Sequence, residues 1–298
     1  MIAGAIMKEA TSEQKRAVLA KLDSFSHYIG RRTVTFLWED EEGIPRQNGT
    51  GVLLNIGHRH FVITAAHVGD HIRAKFDSNE PTFIVGCGMA EMTPIPLSRV
   101  VLILSPSEGK NRKWQDLYDV AAVELPTLAT NELAGQSTFL ELEQLDLRVK
   151  QHDSGRFCIF GFPSASNEAD HECHTLTTTA FPIVTRLFQG ELSKLLSFDP
   201  AIGLLFDFDA DAGGGDESPR VAHRLGGISG CGIWRIDSAD RQLMEFDPTN
   251  STLVAIEQEE VMSSKAIVGT RIKYALQMIY REYPDLREAI TAVFPSLD

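Results

Sequence analysis

Three residues far apart in the chain have the types that nucleophilic catalysis requires: His67 in HRHFVITAAHV, Asp119 at the head of DVAAVEL, and Ser229 in RLGGISGCGIWR. A serine hydroxyl is a poor nucleophile at neutral pH. It becomes reactive beside a base that takes its proton, and an imidazole serving as that base needs an acid to fix its tautomer. Gly226 and Gly227 precede the serine. Glycine admits the positive φ that can turn successive backbone N–H groups toward one point, where an oxyanion could be held. Taken alone, GISG is also the composition of an ordinary turn, so its meaning depends on the rest of the chain.

All nine histidines, at 27, 58, 60, 67, 71, 152, 171, 174 and 223, precede Ser229. An α/β-hydrolase elbow needs the order serine, acid, histidine, and is therefore excluded if Ser229 is the nucleophile. Cys231 also breaks the G-x-S-x-G pattern. His67 follows four β-formers and two alanines, which predicts a strand passing into a tight turn with room beside the imidazole. Asp119 stands where a strand begins, so its carboxylate could accept the His67 Nδ1–H. Asp116, three residues earlier, is the alternative acid.

Positioning these residues falls to short β-like runs. Strands are predicted near 32–38, 50–56, 60–64, 82–86, 97–104 and 120–125, then, after a polar connector at 126–153, near 156–161, 174–185, 202–208, 231–236, 252–258 and 265–269. Two sets of about six suggest two small barrels or sandwiches. Base and acid fall in the first set and the serine in the second, so the site would form in the cleft between them. Residues 11–29 predict an amphipathic helix with Val18, Leu22, Phe25 and Ile29 on one face, Thr11 and Gln14 at capping-box spacing, and Gly30 at its end. Ile272, Leu276, Ile279 and Tyr283 predict a second helix that runs to Pro284.

At this point the chain resembles the chymotrypsin-like (trypsin-like) serine peptidases. GTGVLL followed by VITAAHV is similar to that family's histidine segment, DVAAVEL to its aspartate segment, and GGISGCGIW to its serine segment. TLVAIEQEE is similar to the substrate-lining strand, and AIVGTRI to the last strand before the C-terminal helix. The resemblance spans about 32–290. It implies a mainly β fold of two six-stranded antiparallel barrels, the first over 32–150 and the second over 151–270. A helical extension at 1–31 and a C-terminal helix at 271–298 would flank them.

The resemblance further implies that His67 acts as general base and then acid, that Asp119 orients it, and that Ser229 attacks the scissile carbonyl. The N–H groups of Gly227 and Ser229 would form the oxyanion hole. His223 would lie at the pocket floor, with Glu257, Gln258, Glu259 and Glu260 on the strand forming one wall; Glu259 or Glu260 facing the pocket would favour basic side chains, whereas a dominant His223 would favour acidic or uncharged ones. No cofactor is implied. Ile228 stands where the family usually has an acid, and Cys231-Gly232 where it has Gly-Pro. Activation through a newly cut N-terminus is therefore not expected; either the site is formed as synthesised or another element orders it. The same fold could also persist as a catalytically idle binding or scaffold module.

Bulk properties narrow the partners. The 28 Lys and Arg against 41 Asp and Glu give a net charge of −13, which repels phosphate backbones and anionic lipid, so neither nucleic acid nor membrane is expected. Four irregularly spaced cysteines and an opening that does not read as a signal peptide point to a bacterial-type cytoplasmic member. Its expected partners are a protein or peptide substrate and a regulatory protein. Asp207, Asp209 and Asp211 have calcium-loop spacing, but Ala212 and Ser218 stand at the demanding positions, so a solvated acidic loop is favoured. His171, Cys173 and His174, with His152 or Cys158, could supply zinc ligands, although a polar hairpin loop accounts for them better. No metal is expected.

Overall fold

The run from Thr33 to Thr64 carries hydrophobic residues on both strand faces, a pattern that suits a sheet covered on both sides. The computed structural model describes residues 11–87, 94–97, 103–104, 118–164, 167–170, 172, 175–190, 198–208, 225–237, 247–261 and 265–297. It folds this run into three antiparallel strands, β1 (Thr33–Glu39), β2 (Pro45–Ile56) and β3 (Arg59–Thr64). Leu53 and Val62 pack inside the first barrel with Val34, Phe36 and Ile84. Their neighbours Val52, Leu54, Phe61 and Ile63 point the other way, into an apolar layer shared with the second barrel.

β4 (Thr82–Gly86), β5 (Ile95–Pro96), β6 (Ile103–Leu104) and β7 (Ala121–Glu124) complete a seven-stranded sheet in the order β5-β4-β1-β2-β3-β7-β6. In the second half, β8 (Arg156–Gly161) precedes a separate hairpin of β9 (Glu168–Asp170) and β10 (Thr175–Thr177). β11 (Phe181–Thr185), β12 (Gly203–Asp207), β13 (Gly232–Asp237), β14 (Thr252–Val261) and β15 (Ala266–Arg271) follow. They join β8 in a six-stranded sheet of order β11-β8-β13-β14-β15-β12. Its outer strands meet: Asp207 N donates to Arg186 O and Phe188 N to Leu205 O, each at 2.9 Å, and the sheet closes. The buried amide of Gln151 bonds both backbone groups of Leu205 beside that closure. The architecture is mainly β, a chymotrypsin-like double barrel with flanking helices.

The shared layer is built by elements that cross from one barrel to the other. α1 (Ser12–Gly30) buries Phe25 and Ile29 there, and α4 (Ile272–Glu282) buries Ile272, Leu276 and Ile279. The connector bridges Leu140 to Leu54 of the first barrel and Leu145 to Leu253 of the second. Arg59 ties the chain end back to the first barrel through Glu124 at 2.6 Å and Asp285 at 2.9 Å. Among the described residues no helix is long and apolar enough to cross a membrane.

Several local expectations are corrected. The first sheet carries one short strand more than expected, β5 (Ile95–Pro96), which precedes the run expected at 97–104; within that run β6 is the described strand, and 98–102 lie outside the described residues. The strand expected at 174–185 is two, β10 and β11, divided at 178–180, and the two belong to different sheets, β10 pairing with β9 and β11 with β8. A helix, α2 (Ala66–Asp77), replaces the tight turn after β3, with Val68 and Ile72 buried one turn apart. The connector holds α3 (Thr127–Ala134), which buries Ala129 and Leu133. A last short helix, α5 (Arg287–Val293), follows Pro284.

Candidate active site

β3 and β7 pair antiparallel with Thr64 opposite Ala121, so the residues just after β3 and just before β7 emerge at the same sheet end. His67 and Asp119 occupy those two places. Asp119 Oδ2 lies 2.7 Å from His67 Nδ1, and Asp119 Oδ1 accepts the backbone N–H of His67 at 3.0 Å. That N–H belongs to the first turn of α2, where amides lack intrahelical partners. One buried carboxylate thus satisfies a helix end and orients an imidazole. The hydrogen bond to Asp119 raises the pKa of His67 above the ordinary histidine value, burial works against it, and Asp70 and Glu259 add smaller increases. The His67 side chain is 52% exposed, so its far edge opens to solvent.

Ser229 sits in the turn that leads into β13, and its carbonyl accepts the Thr50 N–H at 2.9 Å. This bond docks the turn of the second barrel on β2 of the first. Gly49 makes the approach possible: a Cβ there would lie 2.6 Å from Val68 Cγ2 and 3.1 Å from Ser229 O. Val68 neighbours His67 in α2, so one position without a side chain separates the two halves of the site. On the other side, Gly230 donates to Glu257 O at 2.9 Å, and a Cβ there would lie 2.9 Å from Ala65 N. Among the described residues no hydrogen bond joins His67 to Ser229.

The carbonyls around Ser229 are anchored and two amides are left over. Gly226 O accepts from Ser164 N at 2.7 Å, and Ile228 O from Cys231 N at 2.9 Å. In a trans peptide the N–H points opposite the C=O. The N–H groups of Gly227 and Ser229 therefore face away from those anchors, and among the described residues neither has an acceptor. Gly227 holds φ at 93°, a conformation that glycine adopts without a Cβ clash. Ile228 is 2% exposed among Leu225, Ile159 and Cys231 of the second barrel, so the position supplies no charge. Cys231 is fully buried and its thiol pKa is raised by that burial.

β13 pairs with β14 as far as Gly232 and Ile256. Beyond Glu257, the edge of β14 on the β13 side has no strand partner among the described residues. Glu259 is exposed on this stretch, and the Gln258 side chain accepts from Thr270 at 3.4 Å. Glu257 is 1% exposed, with its side chain enclosed rather than open to a cleft, and among the described residues its Oε2 has no hydrogen-bond partner. Burial raises its pKa well above the carboxylate range, with Asp119, Glu259 and Glu260 adding to the shift. His223 and Asp116 lie outside the described residues, as do His171, Cys173, His174 and 209–218. Asp207 pairs with Arg186 at 2.6 Å, Cys158 is buried and His152 is exposed. Among the described residues no group of His, Cys, Asp and Glu could hold a metal ion.

Sequence reasoning missed Gln47, which reaches from β2 into the second barrel. Its Nε2 donates to Phe162 O at 2.7 Å and Gly227 O at 2.8 Å, and its Oε1 accepts from Asn167 Nδ2 at 2.6 Å. Nothing in QNGTG marks this residue, because its partners are 115 to 180 positions away.

No family model matches the chain, and no curated protein matches it either. Among solved structures it is similar to GrC, at 13% identity and a TM-score of 0.50, over 86% of this chain and 95% of that one. This likeness is one of fold. The chain is also similar to Deg5, at 11% identity and a TM-score of 0.45, over 90% and 94% of the two chains. A further similarity is to catalytically active tobacco etch virus protease complexed with product, at 10% identity and a TM-score of 0.40, over 83% and 75%.

Proposed function

We propose that this chain is a serine endopeptidase. The observation that carries the reading is the double hold of Asp119 on His67, at 2.7 Å and 3.0 Å, with the Ser229 turn docked on β2 through Thr50. His67 Nε2 takes the proton from Ser229 Oγ as Oγ bonds to the scissile carbonyl carbon. The carbonyl electron pair moves onto oxygen, where the N–H groups of Gly227 and Ser229 hold the negative charge. His67 then protonates the leaving nitrogen and the C–N bond breaks, leaving an acyl-serine. Water, deprotonated by His67, attacks the ester carbonyl, and the proton returns to Ser229 Oγ as the acid product leaves.

The open edge of β14 suits an extended peptide, which would add as another strand through main-chain hydrogen bonds. Exposed Glu259 near His67 favours a basic side chain in that peptide. The thiols of Cys87, Cys158 and Cys231 are free, which suits a reducing, cytoplasmic setting. Covalent labelling by a fluorophosphonate tests the reading. Ser229 in the native chain should be labelled, and Ser229→Ala and His67→Ala should not be. A native chain that no fluorophosphonate labels would leave a catalytically idle binding module as the better account.

A further inference from the structure

We propose that Gln47 and Thr50 of the first barrel are positioning residues for the oxyanion-binding turn of the second, holding Gly227 in its working conformation without any charged partner. The catalytic meaning of this proposal rests on the peptidase reading; the geometry does not. The carbonyl of Gly227 accepts two hydrogen bonds from β2, from Gln47 Nε2 at 2.8 Å and from Thr50 Oγ1 at 3.2 Å. The preceding carbonyl, Gly226 O, is held by Ser164 N at 2.7 Å. With the carbonyls on both sides of Gly227 fixed, its own N–H has one direction left, away from the anchors.

The hold is itself braced. The second lobe of the Gln47 fork, Oε1, accepts from Asn167, and Nε2 also donates to Phe162 O, so the side chain is fixed at both ends. Thr50 is fully buried, and its backbone donates to Ser229 O while its carbonyl accepts from Thr64 Oγ1 at 2.6 Å. Ile228, apolar and enclosed, can form no ion pair to hold the turn. Neutral side-chain hydrogen bonds across the barrel interface fill that role, and the turn is set when the barrels fold together.

Amide hydrogen exchange over residues 225–230 of the full chain reads the hold directly, and fluorophosphonate labelling reads its consequence. In Gln47→Leu/Thr50→Val, exchange over 225–230 should quicken about ten-fold or more, while β3 and β15 exchange as in the native chain. The labelling rate should fall by roughly ten-fold or more, short of or up to the loss of one oxyanion donor. The pH midpoint of labelling should not move, because His67 and Asp119 are untouched. Thr50→Ser, which keeps the hydroxyl, should exchange and label as the native chain does. Gln47→Glu, of the same size and still able to accept from Asn167, offers Gly227 no amide donor and should reproduce the faster exchange if the double variant does not fold. Native exchange over 225–230 in the double variant, or in Gln47→Glu, would overturn the proposal. Should the native chain resist labelling, the peptidase reading fails, and the exchange result still decides whether Gln47 and Thr50 hold the turn.

Discussion

Asp119 bonds His67 at two atoms, the ring Nδ1 through Oδ2 and the backbone nitrogen through Oδ1. The imidazole is thus fixed relative to its own helix as well as to the acid. Such a pair raises the histidine pKa, and catalysis needs the neutral ring. The labelling rate should therefore rise with pH through a midpoint above the ordinary histidine value. Asp119→Asn should lower that midpoint and cut the rate by roughly 10⁴, the scale of such a change in a triad. The pair also links stability to pH. Its contribution is complete below the unfolded histidine pKa and is lost as pH rises through the elevated folded value. Urea midpoints of the native chain and of Asp119→Asn, measured from pH 5 to 9, should converge at the alkaline end.

Glu257 behaves in the opposite sense to a paired carboxylate. It is enclosed beside Asp119, so its folded pKa lies above the unfolded one and the folded state holds its proton more tightly. Stability should fall as pH rises past the unfolded carboxylate value, because the unfolded chain can ionise freely. Glu257→Gln keeps the shape and cannot ionise. It should be more stable than the native chain at pH 8, because it escapes the cost of keeping the native carboxyl protonated above its unfolded pKa. Equal denaturant midpoints across pH 5 to 8 would contradict this.

Gly49 lies between Val68 and the Ser229 carbonyl, and a methyl group would press on both. Gly49→Ala should cost about 1–3 kcal/mol, as overpacked sites do, and should slow labelling by forcing the barrels apart at the cleft. Gly51→Ala is the control. Its Cβ would strike Val62 in the first barrel at 2.3 Å, so it should destabilise the chain with less effect on the labelling rate of the folded fraction.

Ile228 fills an apolar site under Gly161, whose own Cβ would lie 3.0 Å from the isoleucine Cβ. Ile228→Asp puts a charge there with no partner, and should destabilise the chain by about 3–5 kcal/mol, the scale of an uncompensated buried charge. Ile228→Val should cost only about 0.5–1.5 kcal/mol and leave labelling intact. Thermal melts of the two variants measure the contrast.

The sequence carried the strands well because their burial is written locally. FVIT is a run of β-formers and DVAAVE sets two valines in a buried stretch, and the antiparallel pairing of the strands they form places His67 and Asp119 at one sheet end. α2 was missed although Val68 and Ile72 are spaced for a helix, since the two alanines suggested a turn. α3 hid in a polar connector because Ala129 and Leu133 are too few to dominate its composition. Thr50 and Gln47 were not legible at all. Their partners lie in the other barrel, and only the docking of two distant segments gives their polar atoms a role. Glu257 shows the same limit: its place on a lining strand was expected, but which way its side chain points depends on the register of β14.

The apolar layer between the barrels bears on how the molecule can come apart. Phe25 from the N-terminal helix, Leu54 from the first barrel, Trp234 from the second and Leu276 from the C-terminal helix all lie in it, each fully buried. Neither half keeps that surface covered when cut from the other. The chain should melt in a single transition, and fragments divided in the connector should be insoluble apart yet able to complement each other when refolded as a mixture.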